Sequence, residues 1–495
     1  MELAVIHRPD ICPSPWNGLP RVRSFFAGNT IWLLLLVSPW VAYGGSPPLR
    51  IACIGTGTTS RTAPAPESYP RKLQMLLGGN DTVSDFGSTD AALSLSAPHP
   101  YLLQPECAAA LQFLPDIVFV ELGTYDSCRR EGVTTDSLCA DCSRLIGRFL
   151  ALPSKPRIVV LIPPPLYARD TAAYSNDVLT HLVAPALQMS AYANGVEIVS
   201  LYSYLLDHGD LFPDGITPSP ECAGMIARRL QEALDSSQTT GYDVFSGSHV
   251  PAIRTNYFGF ESYDFAFERR DAKIVKPKRP AKGHPWIWRA RFWGHEPQTE
   301  IALLERGFHL VYCDVSELFG NPEALLTWDR FYEFLTRQGL SRKAALMGFS
   351  RGGFYAYRWA AANSDKVACV YADAPVLDIK SWPGGKGKGG GNPVEWDRFK
   401  QDFHLTSEEE ALSFNGNPLD VADRIAAAGF PMLHVCGGAD TVVPVEENTD
   451  IFEKKIIAAG GHITVIRKPG IGHHPHSLPN PALIVDFILR ATTQR

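Results

Sequence analysis

Short apolar runs separated by amphipathic stretches recur along most of the chain. Between residues 49 and 237 the runs fall at 50–54, 117–121, 157–162 and 196–201, each the length of a strand, and helical spacing of apolar positions appears at 138–151 and 221–234. Runs that are apolar throughout predict strands buried on both faces, and their alternation with helices predicts a parallel sheet covered on both sides. A Ser/Thr/Gly-rich stretch at 236–250 reads as a connector. The same rhythm then resumes, with opening strands at 257–268 and 272–276 and further strands at 287–292, 308–314, 344–348, 367–371, 432–436 and 463–466. Helices fit 298–306, 323–338, 448–458 and 481–490. The pattern predicts an α/β protein of two α/β domains, 49–237 and 257–495, joined by a linker at 238–256. Between 373 and 423 the rhythm breaks into a glycine-lysine run, 381–391, followed by acidic helical residues. Its place just after the sixth strand of the second sheet predicts a lid insertion, against the alternative of a flexible surface loop.

The N-terminal stretch changes the picture of where the protein works. Arg21 and Arg23 precede an apolar run at 31–42 and the small-residue sequence Gly44-Gly45-Ser46-Pro47-Pro48. This predicts a signal peptide over 1–44; a retained anchor would need an apolar core of about 20 residues, longer than this one. A secreted or periplasmic protein with no stable membrane partner after cleavage is expected. The 495 residues carry a formal net charge of -6, which offers no general attraction to nucleic acid. Of the ten cysteines, Cys128, Cys139 and Cys142 crowd a polar segment where a disulfide could close a loop. Cys139-Ala140-Asp141-Cys142 has no second cysteine or histidine pair beside it, so a zinc site is not expected there. Cys53, Cys313, Cys369 and Cys436 lie in strand-like runs and read as buried thiols.

Candidate chemistry centres on Gly348-Phe349-Ser350-Arg351-Gly352, which follows the apolar run 344–347 and leads into a helical stretch, 355–362. A serine on a strand-to-helix turn between glycines is presented as a nucleophile is. A serine hydroxyl needs a base to take its proton and an acid to orient that base. Asp440 ends the strand at 432–436 through Gly437-Gly438-Ala439, and the loop after the next strand carries His473, His474 and His476. His473, directly after Gly472, is the leading base, with His474 the competing one. The remaining histidines would orient the loop or contact substrate. Zinc binding by this cluster is the weaker reading, because one loop offers poor geometry for several ligands.

The order Ser, Asp, His at successive strand ends resembles the α/β-hydrolase superfamily over roughly 257–495, in its esterase and prolyl-oligopeptidase-like group. The resemblance implies a catalytic triad of Ser350, Asp440 and His473. It also implies an oxyanion hole from the backbone N–H of Arg351 and a second N–H near Ala290 or Arg291, taken here as Arg291. The Arg351 side chain could meet an acidic substrate or form a salt bridge, and Asp314 and Glu317 are similarly open. Among the tryptophans, Trp286 and Trp288 include core residues by strand alternation, whereas Trp382 and Trp396 of the insertion are candidates to stack on substrate. Trp382 and His474 are the substrate-binding candidates, and Lys386 and Lys388 read as a solvated loop. No cofactor and no metal is implied.

In the first domain, Ile54-Gly55-Thr56-Gly57-Thr58-Thr59, Asp85-Phe86-Gly87, Leu122-Gly123-Thr124-Tyr125-Asp126 and Asp214-Gly215-Ile216-Thr217 resemble, in order, the four blocks of the SGNH or GDSL esterases. Gly57 stands where that family has its serine and Thr217 where it has its histidine. Neither residue can do the missing chemistry, so a catalytically inactive binding or scaffold module is expected. The combined expectation is an exported serine carboxylic-ester hydrolase acting on a polysaccharide or other ester, a carbohydrate esterase removing acetyl or related groups. The alternatives are a prolyl-oligopeptidase-like peptidase or aminoacyl hydrolase, and a non-catalytic glycan-binding protein.

Overall fold

The computed structural model describes residues 48–59, 67–128, 132–168, 174–235, 241–247 and 250–493. The expected signal segment, 1–44, lies outside them. In the first domain β1 (Arg50–Gly55), β2 (Thr82–Gly87), β3 (Ile117–Glu121), β4 (Arg157–Ile162) and β5 (Glu197–Ser200) form a parallel sheet in the order β2-β1-β3-β4-β5. This is a doubly wound order whose direction reverses between β1 and β3, the place where such sheets open a crevice at their carboxyl edge. Alternate residues of β1 face opposite cores. Ala52 and Ile54 pack towards helices Thr135–Leu150 and Ala184–Asn194, and Ile51 and Cys53 towards Tyr69–Leu77 and Pro220–Asp235.

The strand β2 escapes the apolar pattern because it is an edge strand with no fully buried residue. Cys139 and Cys142 are free thiols on one helix, Cys142 buried in the core and Cys139 packed partly against it, rather than partners in a disulfide.

The second sheet comprises β6 (Ala252–Tyr257), β7 (Phe260–Phe267), β8 (Arg270–Lys276), β9 (Trp286–Arg289), β10 (His309–Cys313), β11 (Ala344–Phe349), β12 (Val367–Asp373), β13 (Met432–Gly437) and β14 (Ile463–Lys468). Their order is β14-β13-β12-β11-β9-β10-β8-β7-β6, antiparallel from β6 through β10 and parallel from there to β14. With the Ser350 turn following the central strand β11, this is an α/β-hydrolase fold.

Its opening differs from the sequence pattern. The strand expected at 257–268 begins on a turn: Phe258 and Gly259, with φ of 50° and 95°, make a two-residue hairpin between β6, which precedes the expected strand, and β7, which fills it. Residues 252–256, expected as linker, are therefore sheet. The preceding stretch is docked as well: Val244 is fully buried and the Tyr242 ring stacks on His284 with centroids 3.6 Å apart.

One apolar cluster runs across both domains, joining Val196 and Ile198 to Phe260, Leu304 and Phe308. At this junction Arg229 meets Glu305 at 2.7 Å, with side chains only 1% and 3% exposed. The other Glu305 oxygen accepts the Ser200 N–H at 2.8 Å, and Glu232 pairs with both Arg306 and Arg229. Among the described residues, no helix is long and apolar enough to cross a membrane.

Candidate active site

At the end of β11 the chain turns sharply, and Ser350 adopts φ 49° and ψ −122° before the helix Arg351–Ala362 begins. A side-chain-bearing residue at positive φ is strained and persists only where its surroundings hold it. Here the Ser350 N–H donates to the Asp373 carbonyl at 2.8 Å, and the Ser350 carbonyl accepts from Val376 and Gly353, each at 3.0 Å. The turn closes so tightly that a Cβ on Gly348 would come 2.5 Å from the Gly352 carbonyl oxygen.

Asp440 follows β13 and is 6% exposed. Its Oδ1 accepts the N–H groups of Val442 at 2.8 Å and Val443 at 2.9 Å, which aims Oδ2 at His473 Nδ1, 2.7 Å away. The opposite ring nitrogen, Nε2, lies 2.9 Å from Ser350 Oγ. With Nδ1 donating to the carboxylate, the Nε2 lone pair faces the hydroxyl, so the arrangement can deprotonate the serine. The structure thus brings Ser350, His473 and Asp440 into one hydrogen-bonded row. His474 makes no contact of this kind with either partner.

The sequence reading missed two supporting pairs. Asp373, fully buried at the end of β12, accepts from His476 Nδ1 at 2.9 Å and from the Ser477 N–H at 2.7 Å, while its carbonyl holds the Ser350 N–H. One residue therefore ties the nucleophile turn to the histidine loop. The second pair is Arg289 with Glu300, at 2.6 Å and with side chains 0% and 1% exposed. The other Arg289 nitrogens donate to the carbonyls of Arg291, Phe292 and His295, so this guanidinium shapes the loop after β9. An acid in a helix and a base in a strand carry no signal of pairing until the fold sets them side by side.

That loop replaces the end of the strand expected at 287–292. The Ala290 N–H is spent on the Met347 carbonyl at 2.8 Å. The Arg291 nitrogen lies beside the nucleophile helix, where a Cβ on Gly352 would approach it to 3.6 Å. The Arg351 N–H opens that helix, where backbone donors have no intrahelical partner.

The insertion packs beside these groups. Helix Pro393–Asp402 brings Glu395 to the Arg351 guanidinium, which is buried and lies over the rings of Phe319 and Trp382 at 4.9 and 5.7 Å. Burial lowers the Arg351 pKa from its ordinary value. Trp382 is half-buried, its ring stacked on Phe319, and forms part of this wall. Trp396 is not available to stack on substrate: it is 6% exposed, with its indole N–H bonded to Glu408 at 2.8 Å. Lys386 and Lys388 pair with Glu408 and Glu446. Asp314 accepts from the Tyr312 hydroxyl and the Ser316 N–H at its own end of β10. Trp286 and Trp288 are both fully buried. His474 is exposed, and partial burial together with His476, His473 and His295 holds its imidazole below the usual pKa.

The carboxyl edge of the first sheet is built differently. Gly55 pairs with Gly87 across β1 and β2, and Gly57 lies near Tyr125, so the first three sequence blocks meet there. The Asp214 carboxylate is occupied by the N–H groups of Ile216 and Thr217. Glu121, fully buried, accepts from the hydroxyls of Thr56 at 3.0 Å and Thr59 at 3.2 Å. Burial pushes its carboxyl up to about 7. A separate cleft of about 870 Å³ lies between the domains at the amino ends of the second sheet's strands, lined by Arg228, Glu232, Lys282, Phe308 and Lys343, and shares no residue with the Ser350 site.

No protein-family model matches the chain. An acetylxylan esterase from Xylanibacter ruminicola is 27% identical over 207 residues, covering 38% of this chain and 43% of that protein. The chain thus matches less than half the length of this relative. Among solved structures, a puromycin hydrolase is 19% identical, with a TM-score of 0.36 over 48% of this chain and 38% of that one. The Pyrococcus horikoshii acylaminoacyl peptidase is 16% identical, with a TM-score of 0.38 over 48% of this chain and 42% of that one.

Proposed function

We propose that the chain is a serine hydrolase that cleaves carboxylic esters through an acyl-enzyme on Ser350, and that its substrates are acylated carbohydrates. The observation that carries the reading is the row Asp440, His473, Ser350, with links of 2.7 and 2.9 Å at a strained turn. In the proposed reaction Ser350 Oγ attacks the ester carbonyl as His473 Nε2 takes its proton, and Asp440 supports the imidazolium. The N–H groups of Arg351 and Arg291 receive the charge that develops on the carbonyl oxygen, a contribution of about a hundredfold to a thousandfold in turnover. His473 returns the proton to the departing alcohol, and water then releases the acid by the same steps in reverse.

Preference for an ester of a carbohydrate is supported by the acetylxylan esterase relative. Trp382, half-buried beside the nucleophile helix with its ring stacked on Phe319, is the aromatic side chain assigned to contact the sugar. The SGNH-like first domain is assigned a binding or scaffold role, since Gly57 and Thr217 cannot supply a nucleophile and a base. Export follows from the signal segment expected at 1–44.

A fluorophosphonate probe tests the core of this reading. Labelling of wild type that disappears in Ser350→Ala is expected; no labelling of wild type would remove the hydrolase assignment. A panel of acetylated, feruloylated and methyl-esterified polysaccharides, run beside aminoacyl and peptide substrates, tests the rest. Turnover of the peptides in preference to every ester would replace the esterase by a peptidase.

A further inference from the structure

A histidine loop alone gives poor geometry for several metal ligands, but the fold brings a second loop against it. The residues after β9 place His295 and Glu296 beside His474, with one ligand atom from each of the three lying within 4.8 Å of the others. His474 also contributes to a neighbouring group with His473 and His476 at the same spacing. The His295 ring lies 5.8 Å from that of His474 and 6.0 Å from that of His476. Both loops are held from behind: Arg289 donates to the His295 carbonyl at 2.8 Å, and Asp373 holds His476 and Ser477.

Glu296 makes the cluster more than a group of imidazoles. Its Oε2 is buried without a hydrogen-bond partner, and its Oε1 stands 3.7 Å from His295 Nε2, too far for a hydrogen bond. A carboxylate oxygen left unsatisfied in this way costs free energy that a bound cation would recover. Two imidazoles and one carboxylate are a ligand set that suits zinc and leaves one coordination position open. Bond lengths of about 2.0 to 2.2 Å bring tetrahedral ligand atoms closer than they stand here, and His295 and His474, being exposed, have room to rotate inward. Magnesium and calcium, which take oxygen ligands, would not be held by this set.

We infer that His295, Glu296 and His474 form a binding site for a zinc-class transition dication at the rim of the catalytic centre, and that its occupancy inhibits the serine. The dication would sit next to the residue that follows His473 in the chain. The rings of His473 and His474 lie 5.0 Å apart, so an ion held by His474 stands beside the base that Ser350 depends on. The ion also occupies space at the mouth of the site. The inhibitory half of this inference rests on the serine hydrolase reading, whereas the binding half does not.

The test uses the full-length chain, stripped of metal and titrated with zinc chloride by calorimetry in a non-chelating buffer, with magnesium chloride as the control ion. One zinc per chain is expected, removable by EDTA, with no magnesium binding. Its X-ray absorption spectrum should show nitrogen and oxygen ligands alone, since sulfur would assign the zinc to cysteines instead. His295→Ala and Glu296→Gln should each weaken binding at least about tenfold while leaving the metal-free fluorophosphonate labelling rate at the wild-type level. Zinc should slow labelling of wild type and not of the two variants. Absence of stoichiometric binding, or binding that both variants retain, would overturn the site. Binding without slower labelling would overturn its inhibitory role. If metal-free wild type fails to label, the hydrolase reading fails and the inhibitory role with it, while the titration still decides the site, in Ser350→Ala as in wild type.

Discussion

At the carboxyl end of β11 the chain turns through Ser350; at the carboxyl end of β1 it turns through Gly57. Both turns close an inner strand of a doubly covered sheet, at the edge where α/β folds form their sites. The first is strained and braced from outside, by the Asp373 carbonyl and the Val376 N–H, and it projects a hydroxyl at a base. The second is tied down from within: Thr56 and Thr59 both donate to the buried Glu121. A polar group at a strand end can present chemistry or lock a loop, and the partners decide which. The two edges teach that a fold supplies the position of a site, while the site needs its own acid, base and brace.

The sharpest way to break this comparison is to exchange the working residue. Ser350→Ala should lower turnover by about a million-fold, and Gly57→Ala or Thr217→Ala should leave kcat within a factor of about two. Adding Gly57→Ser to Ser350→Ala should restore no fluorophosphonate labelling, because Thr217 is no base; labelling there would show that the first edge retains more machinery than its residues indicate. Next in size is the junction between the sheets. Arg229→Met leaves Glu305 buried without its partner and should cost about 3 to 5 kcal/mol in urea unfolding, with kcat unchanged for the molecules that remain folded. Arg229→Met combined with Glu305→Leu should recover much of that loss.

Asp373→Asn probes the brace of the working edge. As a positioning residue it should reduce kcat by about a hundredfold, the cost of misplacing reacting groups by roughly 1 Å, while KM stays near wild type. A loss confined to stability would reduce Asp373 to a structural role. The smallest effect concerns the edge of the first sheet. The Glu121 carboxyl rises in the folded state to about 7, against 4.5 as its ordinary value. The folded protein therefore holds a proton over that interval which the unfolded chain has released. Stability contributed by Glu121 is complete below about pH 4.5 and should fall by on the order of 2 to 3 kcal/mol as the pH rises through 7. Glu121→Gln should flatten that part of the stability profile; an unchanged profile would mean that the carboxyl titrates elsewhere.

Ser350, Asp440 and the histidine loop were legible in the sequence because each follows a short, mainly apolar run of strand length, and strand ends on one side of a parallel sheet converge. The sequence favoured His473 over His474 by its place after Gly472, and the physical ground for that choice is the pair of hydrogen bonds to Asp440 Oδ1 that leaves Oδ2 to meet His473. Edge strands were the weak point of the pattern: β2 is half polar, and β6 sits in what read as a linker. Trp396 misled for a related reason, as its position in an insertion suggested exposure while Phe399 and Glu408 enclose it. Arg289 with Glu300, and Asp373 with His476, were invisible because a charged residue inside an apolar run declares itself only through a partner distant in sequence.

The cluster that runs from Val196 and Ile198 into Phe260, Leu304 and Phe308 bears on how this protein could be shortened. A hydrolase half expressed alone would turn those side chains, and the orphaned Glu305 carboxylate, towards water. Such a face invites self-association, and the fragment would be lost to aggregates before its turnover could be measured. The first sheet thus covers apolar surface of the second, and removing it should cost solubility whatever chemistry its own edge can do.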